Sequence, residues 1–204
     1  KRLVHGLTAR LAGRIAIVSG RGADEIDALF GGAGLAIGGS HGAELRRGAA
    51  VEAPARPVGL DDALARMRAF AATTPGLLVE AKPLGAGLHF RGAPHAEDAC
   101  RAFAGELAEA TGLTPQRGKM VFELRAPGDK GTAIAALMAL PPFAGSRPVF
   151  LGDDLTDEPG FAAAARLGGA GVLVGPVRDT AAHYRLLDVA GVRGWLETFG
   201  EDAA

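Results

Sequence analysis

The chain has 204 residues, 48% of them hydrophobic and 22% charged, with a formal net charge of −1. That balance is globular rather than disordered. It excludes a general attraction to nucleic acid or to an anionic membrane surface, so any phosphate-binding charge must be local. One cysteine, Cys100, rules out an intrachain disulfide. No apolar run approaches membrane-spanning length and no signal-peptide pattern is visible, so a cytoplasmic setting is expected.

Leu3, Leu7 and Leu11 lie four apart, as on one helix face. Residues 14–18 then read as a buried strand, stopped by Ser19-Gly20-Arg21-Gly22. A small hydroxyl and a basic residue after a buried strand suit a phosphate contact; an ordinary strand-to-helix turn explains them equally well. Asp24 starts a helix through Leu29. Residues 35–37 form a further short strand, and a glycine-rich stretch with His41 and Glu44 follows as a loop. His41 suits either substrate or a structural hydrogen bond. APARP, residues 53–57, reads as a linker.

From residue 60 the pattern changes. Leu60, Leu64, Met67 and Ala71 mark an amphipathic helix, and Ala99, Phe103, Leu107 and Ala110 a second one ended by Gly112. Short alternating strands are expected at 77–82, 86–91, 113–117 and 119–125. The result is an αββαββ unit: a four-stranded antiparallel sheet with helices on one face. Leu88 and Phe90 share one side with Met120, Phe122 and Leu124. The other side then carries Glu80, Lys82, His89, Arg91, Lys119, Glu123 and Arg125. That face suits a hydroxyl-rich anionic ligand, or is simply solvated.

Asp129 should cap a helix at 132–140, with Lys130 in its first turn against the dipole preference. A bound anion would explain that lysine; so would plain solvation. Residues 149–151 form a buried strand, and after Gly152 four acids fall within six residues: Asp153, Asp154, Asp157 and Glu158. Crowded carboxylates repel unless a cation or proton intervenes, and Mg2+ held by one or two carboxylates meets that need. Capping and the helix dipole account better for Asp157 and Glu158 than for Asp153 and Asp154. A strand at 171–174 and a helix containing Val192, Leu196 and Phe199 complete the chain.

Together these segments resemble the haloacid dehalogenase-like (HAD) phosphatases, and more closely the trehalose-6-phosphate phosphatases. The resemblance rests on IVSGR (17–21), GSHGAELR (39–46), VEAKPLGAGLHFR (79–91), GKMVFELRAPGDKG (118–131) and FLGDDLTDEPGF (150–161), in family order. It implies an α/β fold: a Rossmann-like HAD core with a parallel sheet, at 1–55 and 128–204, and an inserted αββαββ cap domain at 56–127. It implies Mg2+-dependent hydrolysis of trehalose 6-phosphate through an aspartyl-phosphate. Ser19 would bond the phosphoryl group and Lys130 neutralise it. Asp153, Asp154 and Asp157 would hold Mg2+, Asp153 directly. Arg21, His41, Glu44, Arg91, Lys119 and Glu123 would bind substrate. A monomer with no macromolecular partner is expected.

The family's Asp-x-Asp-Gly-Thr, whose first Asp is the nucleophile, occurs nowhere in these residues. It is expected N-terminal of Lys1, on roughly one further βα unit. The 204 residues by themselves are therefore expected not to turn over and to bind Mg2+ weakly. Two alternatives stand beside this reading: a related phosphatase for another sugar phosphate, and a non-catalytic sugar-phosphate-binding regulatory domain.

Overall fold

The structure, a computed structural model, describes residues 1–32, 34–48, 50–52 and 56–199, with the backbone alone at 50–52. Residues 53–55 of the expected linker lie outside the described residues. The chain divides into two compact units, Lys1–Ala53 with Gly128–Ala204, and Pro54–Pro127.

In the first unit, helix α1 (Arg2–Arg10) leads to strand β1 (Ala16–Val18), helix α2 (Ala23–Phe30) and strand β2 (Ala36–Gly39). β1 and β2 pair in parallel, Ile17 opposite Ile37. Ile37 packs with Ala23, Ile26 and Leu35, and Ile17 and Val4 lie against that cluster. Ala36 faces the other way, toward Leu137 and Phe143. Cover on both faces explains why β1 and β2 read as unbroken apolar runs rather than alternating ones.

Residues 40–47 correct the expected loop. A single 3-10 turn at Ser40–Gly42 is followed by strand β3 (Glu44–Arg47) and strand β4 (Ala50–Glu52). β3 folds back antiparallel on β2, with Gly39 opposite Glu44. Glycine content hides this strand from its pattern, yet Gly39 is needed there: a Cβ would meet the Ala23 nitrogen at 2.7 Å and Glu44 Oε2 at 2.9 Å.

After the second unit, helix α5 (Lys130–Met138) packs on β1 and β2. Asp129 caps it as expected: its carboxylate accepts from the Thr132 N–H at 2.8 Å, and its own N–H donates to the Thr132 hydroxyl at 3.1 Å. Strand β9 (Val149–Gly152), helix α6 (Glu158–Arg166), strand β10 (Ala170–Val174), strand β11 (Tyr184–Leu186) and helix α7 (Val189–Thr198) follow. β9, β10 and β11 are parallel, in the order β11-β10-β9. β11 is three residues long, with Tyr184 and Arg185 exposed, and too short to show a period in sequence.

The unit thus holds two separate sheets, one edged by β1 and the other by β9. Among the described residues, β1 pairs only with β2 and β9 only with β10. A cavity of about 560 Å3 is lined by both strands and by Val4, Leu7, Leu137 and Trp195. At the carboxyl ends of the two strands stand Ser19 and Asp153.

The second unit is the αββαββ arrangement. Helix α3 (Leu60–Ala72), strands β5 (Leu78–Lys82) and β6 (Gly85–His89), helix α4 (Glu97–Thr111), and strands β7 (Thr114–Gly118) and β8 (Val121–Arg125) give an antiparallel sheet ordered β5-β6-β8-β7. Leu88, Phe90, Phe122 and Leu124 join Leu60, Met67, Cys100 and Leu107 in one core. The buried face of α4 is Cys100, Ala104, Leu107 and Ala108, while Ala99 and Ala110 are exposed. The expected stripe is therefore rotated by one position, because alanine fits either face. Gly112 ends α4 at φ +70°, and a Cβ there would touch nothing within 4 Å. Gly112→Ala is therefore expected to cost about 1–2 kcal/mol from backbone strain alone, read as an unfolding-midpoint shift with unchanged slope in urea.

Candidate active site

The site in the first unit is built on four turns at strand ends and helix starts. After β1, the Ser19 carbonyl accepts from the His41 N–H at 2.9 Å, and the Arg21 carbonyl from the Ser40 N–H at 2.7 Å. The Ser19 hydroxyl accepts from the Arg21 N–H at 3.2 Å, shaping the turn. His41 adopts a left-handed backbone, φ +58°, and its ring lies on Gly20. A Cβ at Gly20 would sit 2.5 Å from His41 Nε2. Gly20→Ala is therefore expected to displace the imidazole and distort the Ser19 turn. A ring-proton NMR shift for His41 checks it; an unmoved resonance would show that the turn absorbs the methyl elsewhere.

Glu44 is buried, 8% exposed. Its Oε2 accepts from the Ala23 N–H at 2.6 Å at the start of α2, and its Oε1 from the Ser40 hydroxyl at 3.1 Å. The carboxylate thus completes the N-terminus of α2 from a neighbouring strand. Arg21 is exposed and pairs with Glu25 one turn on. Arg46 holds Asp24 and Asp27 on the outer side of α2.

Lys130, at the first position of α5, donates to Asp157 Oδ1 at 2.6 Å; the two side chains are 11% and 4% exposed. Asp157 Oδ2 accepts from the N–H groups of Asp153 and Asp154, both at 2.9 Å. One buried carboxylate therefore fixes the lysine and the acidic turn together. Gly152 makes room for it, since a Cβ there would lie 2.4 Å from Asp157 Cγ. Asp154 Oδ1 accepts from the Leu155 N–H at 2.5 Å, and its side chain is outside, at the turn. Asp153 is exposed, and its carboxylate has no hydrogen-bond partner among the described residues. No group of three His, Cys, Asp or Glu side chains able to hold a metal ion occurs among the described residues. Of Asp153, Asp154 and Asp157, the last turns inward, because a buried turn with two N–H groups and a lysine needs an acceptor.

These turns are contiguous. Gly42 packs on the Asp129 carbonyl, which a Cβ would approach to 2.2 Å, and Gly131 on the Pro159 carbonyl. So Ser19, His41, Lys130 and the Asp153 turn share one rim.

Arg91, Lys119 and Glu123 belong to the second unit. Glu123 lies on the sheet face away from the helices and accepts from Lys82 Nζ at 2.5 Å. His89 Nε2 is 2.9 Å from Glu80 Oε2, and Arg125 Nε donates to Gln116 Oε1 at 2.8 Å. β6 contributes Gly85 and Gly87 between these side chains, so the Lys82–Glu123 pair can reach across it. Lys119 is not on the strand as expected. It lies in the two-residue turn between β7 and β8, where Met120 takes φ +62°. The alternation of 119–125 runs through that turn, so the sequence pattern does not show where the strand starts. Arg91 is exposed just beyond β6.

One further residue of the first unit carries weight without a sequence signal. Arg178, in the segment between β10 and β11, pairs with Glu158 and donates to the Asp154 carbonyl at 2.9 Å. A lone arginine in a loop looks like any solvated one until the fold closes on it.

The trehalose-phosphatase family model matches residues 1–190. The chain belongs to this family. It is 42% identical over 192 residues to the trehalose-6-phosphate phosphatase of Escherichia coli (strain K12), covering 91% of this chain and 71% of that protein. It is 38% identical over 174 residues to a probable trehalose-phosphate phosphatase of Sinorhizobium fredii (strain NBRC 101917 / NGR234), covering 83% of this chain and 66% of that one. Among solved structures, it is similar to a trehalose-6-phosphate phosphatase related protein at 25% identity and TM-score 0.75, covering 100% of this chain and 88% of the other. It is also similar to an Aspergillus fumigatus trehalose-6-phosphate phosphatase at 25% identity and TM-score 0.71, covering 98% and 82%. The fold is that of the HAD-type trehalose-phosphatases, and the family is one of phosphoric monoester hydrolases. Among the described residues no helix is long and apolar enough to cross a membrane.

Proposed function

We propose that this chain forms the larger part of a Mg2+-dependent phosphatase that releases phosphate from trehalose 6-phosphate by way of an aspartyl-phosphate. The observation that carries this reading is the Lys130–Asp157 pair, whose one carboxylate also holds the Asp153 turn. Phosphoryl transfer depends mostly on positioning and on neutralising charge. Lys130 is a cation held in place before the substrate arrives. The Ser19 hydroxyl, on the neighbouring turn, would donate to a phosphoryl oxygen.

The donor chemistry fits a hard cation: Asp153 offers, at a strand's carboxyl end, a carboxylate with no partner among the described residues, and Mg2+ is bound through one or two carboxylates plus phosphate oxygen. Asp153 would hold the ion directly, with Asp154 beside it. When bound, Mg2+ supplies charge neutralisation at the phosphoryl oxygens. Asp157 orients Lys130 and the turn.

The nucleophile would come from a parallel strand in the slot between β1 and β9, outside these 204 residues. Two parallel edges facing one apolar cavity support that placement. A strand there would deliver its last residue beside Ser19 and Asp153. The 54–127 unit forms the cap of this reading, a domain inserted into the 1–53 and 128–204 core. Its polar sheet face would read the sugar hydroxyls, with Glu123, Lys119 and Arg91 as contacts; His41 and Arg21 would bind at the core.

The test is kcat/KM of the natural enzyme on a panel of trehalose 6-phosphate, sucrose 6-phosphate and glucose 6-phosphate, with Mg2+ and with EDTA. Preference for trehalose 6-phosphate by about tenfold or more, abolished by EDTA, is the expected result; one extra recognised group is worth about that much. Equal rates on all three would leave a sugar phosphatase without this specificity.

A further inference from the structure

The turn that carries Asp153 is tied from two directions. Asp157 takes the N–H groups of Asp153 and Asp154 from the core side. From the other side comes Arg178. Its Nη2 donates to the Asp154 carbonyl at 2.9 Å and its Nη1 to the Asp179 carbonyl at 3.1 Å, while Nη1 also pairs with Glu158 Oε1. Glu158 Oε2 in turn accepts from the Ala181 N–H at 2.7 Å. The two charged side chains are 23% and 27% exposed. Burial works against charge on Glu158, but the Ala181 N–H, the Arg178 guanidinium and the Thr180 hydroxyl outweigh it and hold its carboxyl below the usual range.

The peptide groups on both sides of Asp154 are thereby fixed: N–H groups by Asp157, carbonyl by Arg178. Asp153 hangs from this fixed backbone, and only its own side-chain rotation is left. A surface ion pair by itself contributes little. A guanidinium that reaches three acceptors through its planar fork is different, since one side chain sets the relative position of two segments.

We propose that Arg178, held by Glu158, is a positioning residue for the Asp153 carboxylate and thereby sets the affinity of this site for a divalent cation. The inference rests on the reading of Asp153 as a cation ligand. Arg178 touches neither substrate nor ion. Losing it frees the Asp154 carbonyl and the 175–182 segment, so the carboxylate spends less time where an ion can use it. Groups that orient a metal ligand typically change affinity about 10- to 100-fold when removed.

The experiment uses the natural full-length enzyme and its R178A, R178K and E158Q variants. Mn2+ binding is followed by electron paramagnetic resonance, with Mg2+ as competitor, and hydrogen exchange of segment 152–158 is measured in metal-free protein. R178A is expected to weaken Mn2+ binding about tenfold and to speed exchange in 152–158 before any metal is added. R178K should recover little, because an ammonium cannot span the same acceptors. At saturating Mg2+, kcat should return to near the wild-type value. Unchanged Mn2+ affinity and unchanged exchange overturn the inference. So does a lower melting temperature with unchanged affinity, which would make the tie purely structural. Should R178A not fold, E158Q, which keeps the shape and drops the charge that holds the arginine, is judged by the same two readouts. Absence of Mn2+ binding by the wild-type enzyme would instead sink the reading of Asp153 itself.

Discussion

Lys130→Ala in the natural enzyme is expected to lower kcat on trehalose 6-phosphate by at least about 10²–10³-fold. That is the loss seen when one preorganised donor to a developing oxyanion is removed. The ammonium is 2.6 Å from Asp157 Oδ1 and its side chain is 11% exposed, so it is already in place and largely dehydrated when substrate binds. The rest of the site should survive: Asp157 would still accept two backbone N–H groups, and the Asp153 turn would keep its shape. Steady-state kinetics with a circular-dichroism melt alongside checks both parts. A folded Lys130→Ala enzyme with near wild-type kcat would remove Lys130 from the chemistry. Lys130→Arg should not rescue well, since a branched guanidinium does not replace a compact ammonium at one acceptor.

Asp157→Ala is expected to act on the fold as well as on turnover. It would leave Lys130 buried without its counter-charge and strip the acceptor from two N–H groups at once. Breaking one side of a buried ion pair costs about 3–5 kcal/mol, a large share of the stability of a domain this size. Urea unfolding should show a lower midpoint with an unchanged slope. Asp157→Asn should cost less, because its amide oxygen can still accept from the Asp153 and Asp154 N–H groups, although its NH2 then faces the Lys130 ammonium and both the ion pair and that hydrogen bond are lost. A drop below about 1 kcal/mol for the alanine variant would mean that water replaces the carboxylate. The two substitutions separate the roles: Lys130 is needed for charge at the phosphoryl group, and Asp157 for the arrangement of everything around it.

Much of the second unit is readable from residue order. Period-two alternation in 86–91 and 120–125 places Leu88, Phe90, Phe122 and Leu124 on one side and Glu123 on the other, as found. Alternation reports the face of a strand because successive side chains point oppositely. It does not report where a strand begins, and so the pattern puts Lys119 on the strand when it lies in the preceding turn. The glycines of β6 are silent for a related reason: an absent side chain acquires meaning only from the neighbours that flank it.

In the core, β1, β2, β9 and β10 announce themselves as short apolar runs bounded by glycine or serine, although β9, expected as buried, is only partly covered, with Val149 exposed. β3 and β11 do not, one polar beside glycines and the other only three residues long.

What the residue order determines by itself is the set of chemical groups and the edges on which they stand. Ser19, Lys130 and Asp153 each follow a recognisable strand or helix boundary, and their order along the chain resembles a phosphatase family. Tertiary structure decides which carboxylate does what. Four acids within six residues are equivalent in sequence, yet Asp157 is turned in to hold Lys130 and two amides, Glu158 is tied to Arg178, Asp154 caps its own turn, and Asp153 is left with a carboxylate unpartnered among the described residues. The physical reason is burial. Once β9 ends against α5, an acceptor facing the core must satisfy every donor there, whereas one facing outward remains available to a ligand. Such a division depends on which groups share a low-dielectric space, and distance along the chain does not encode it.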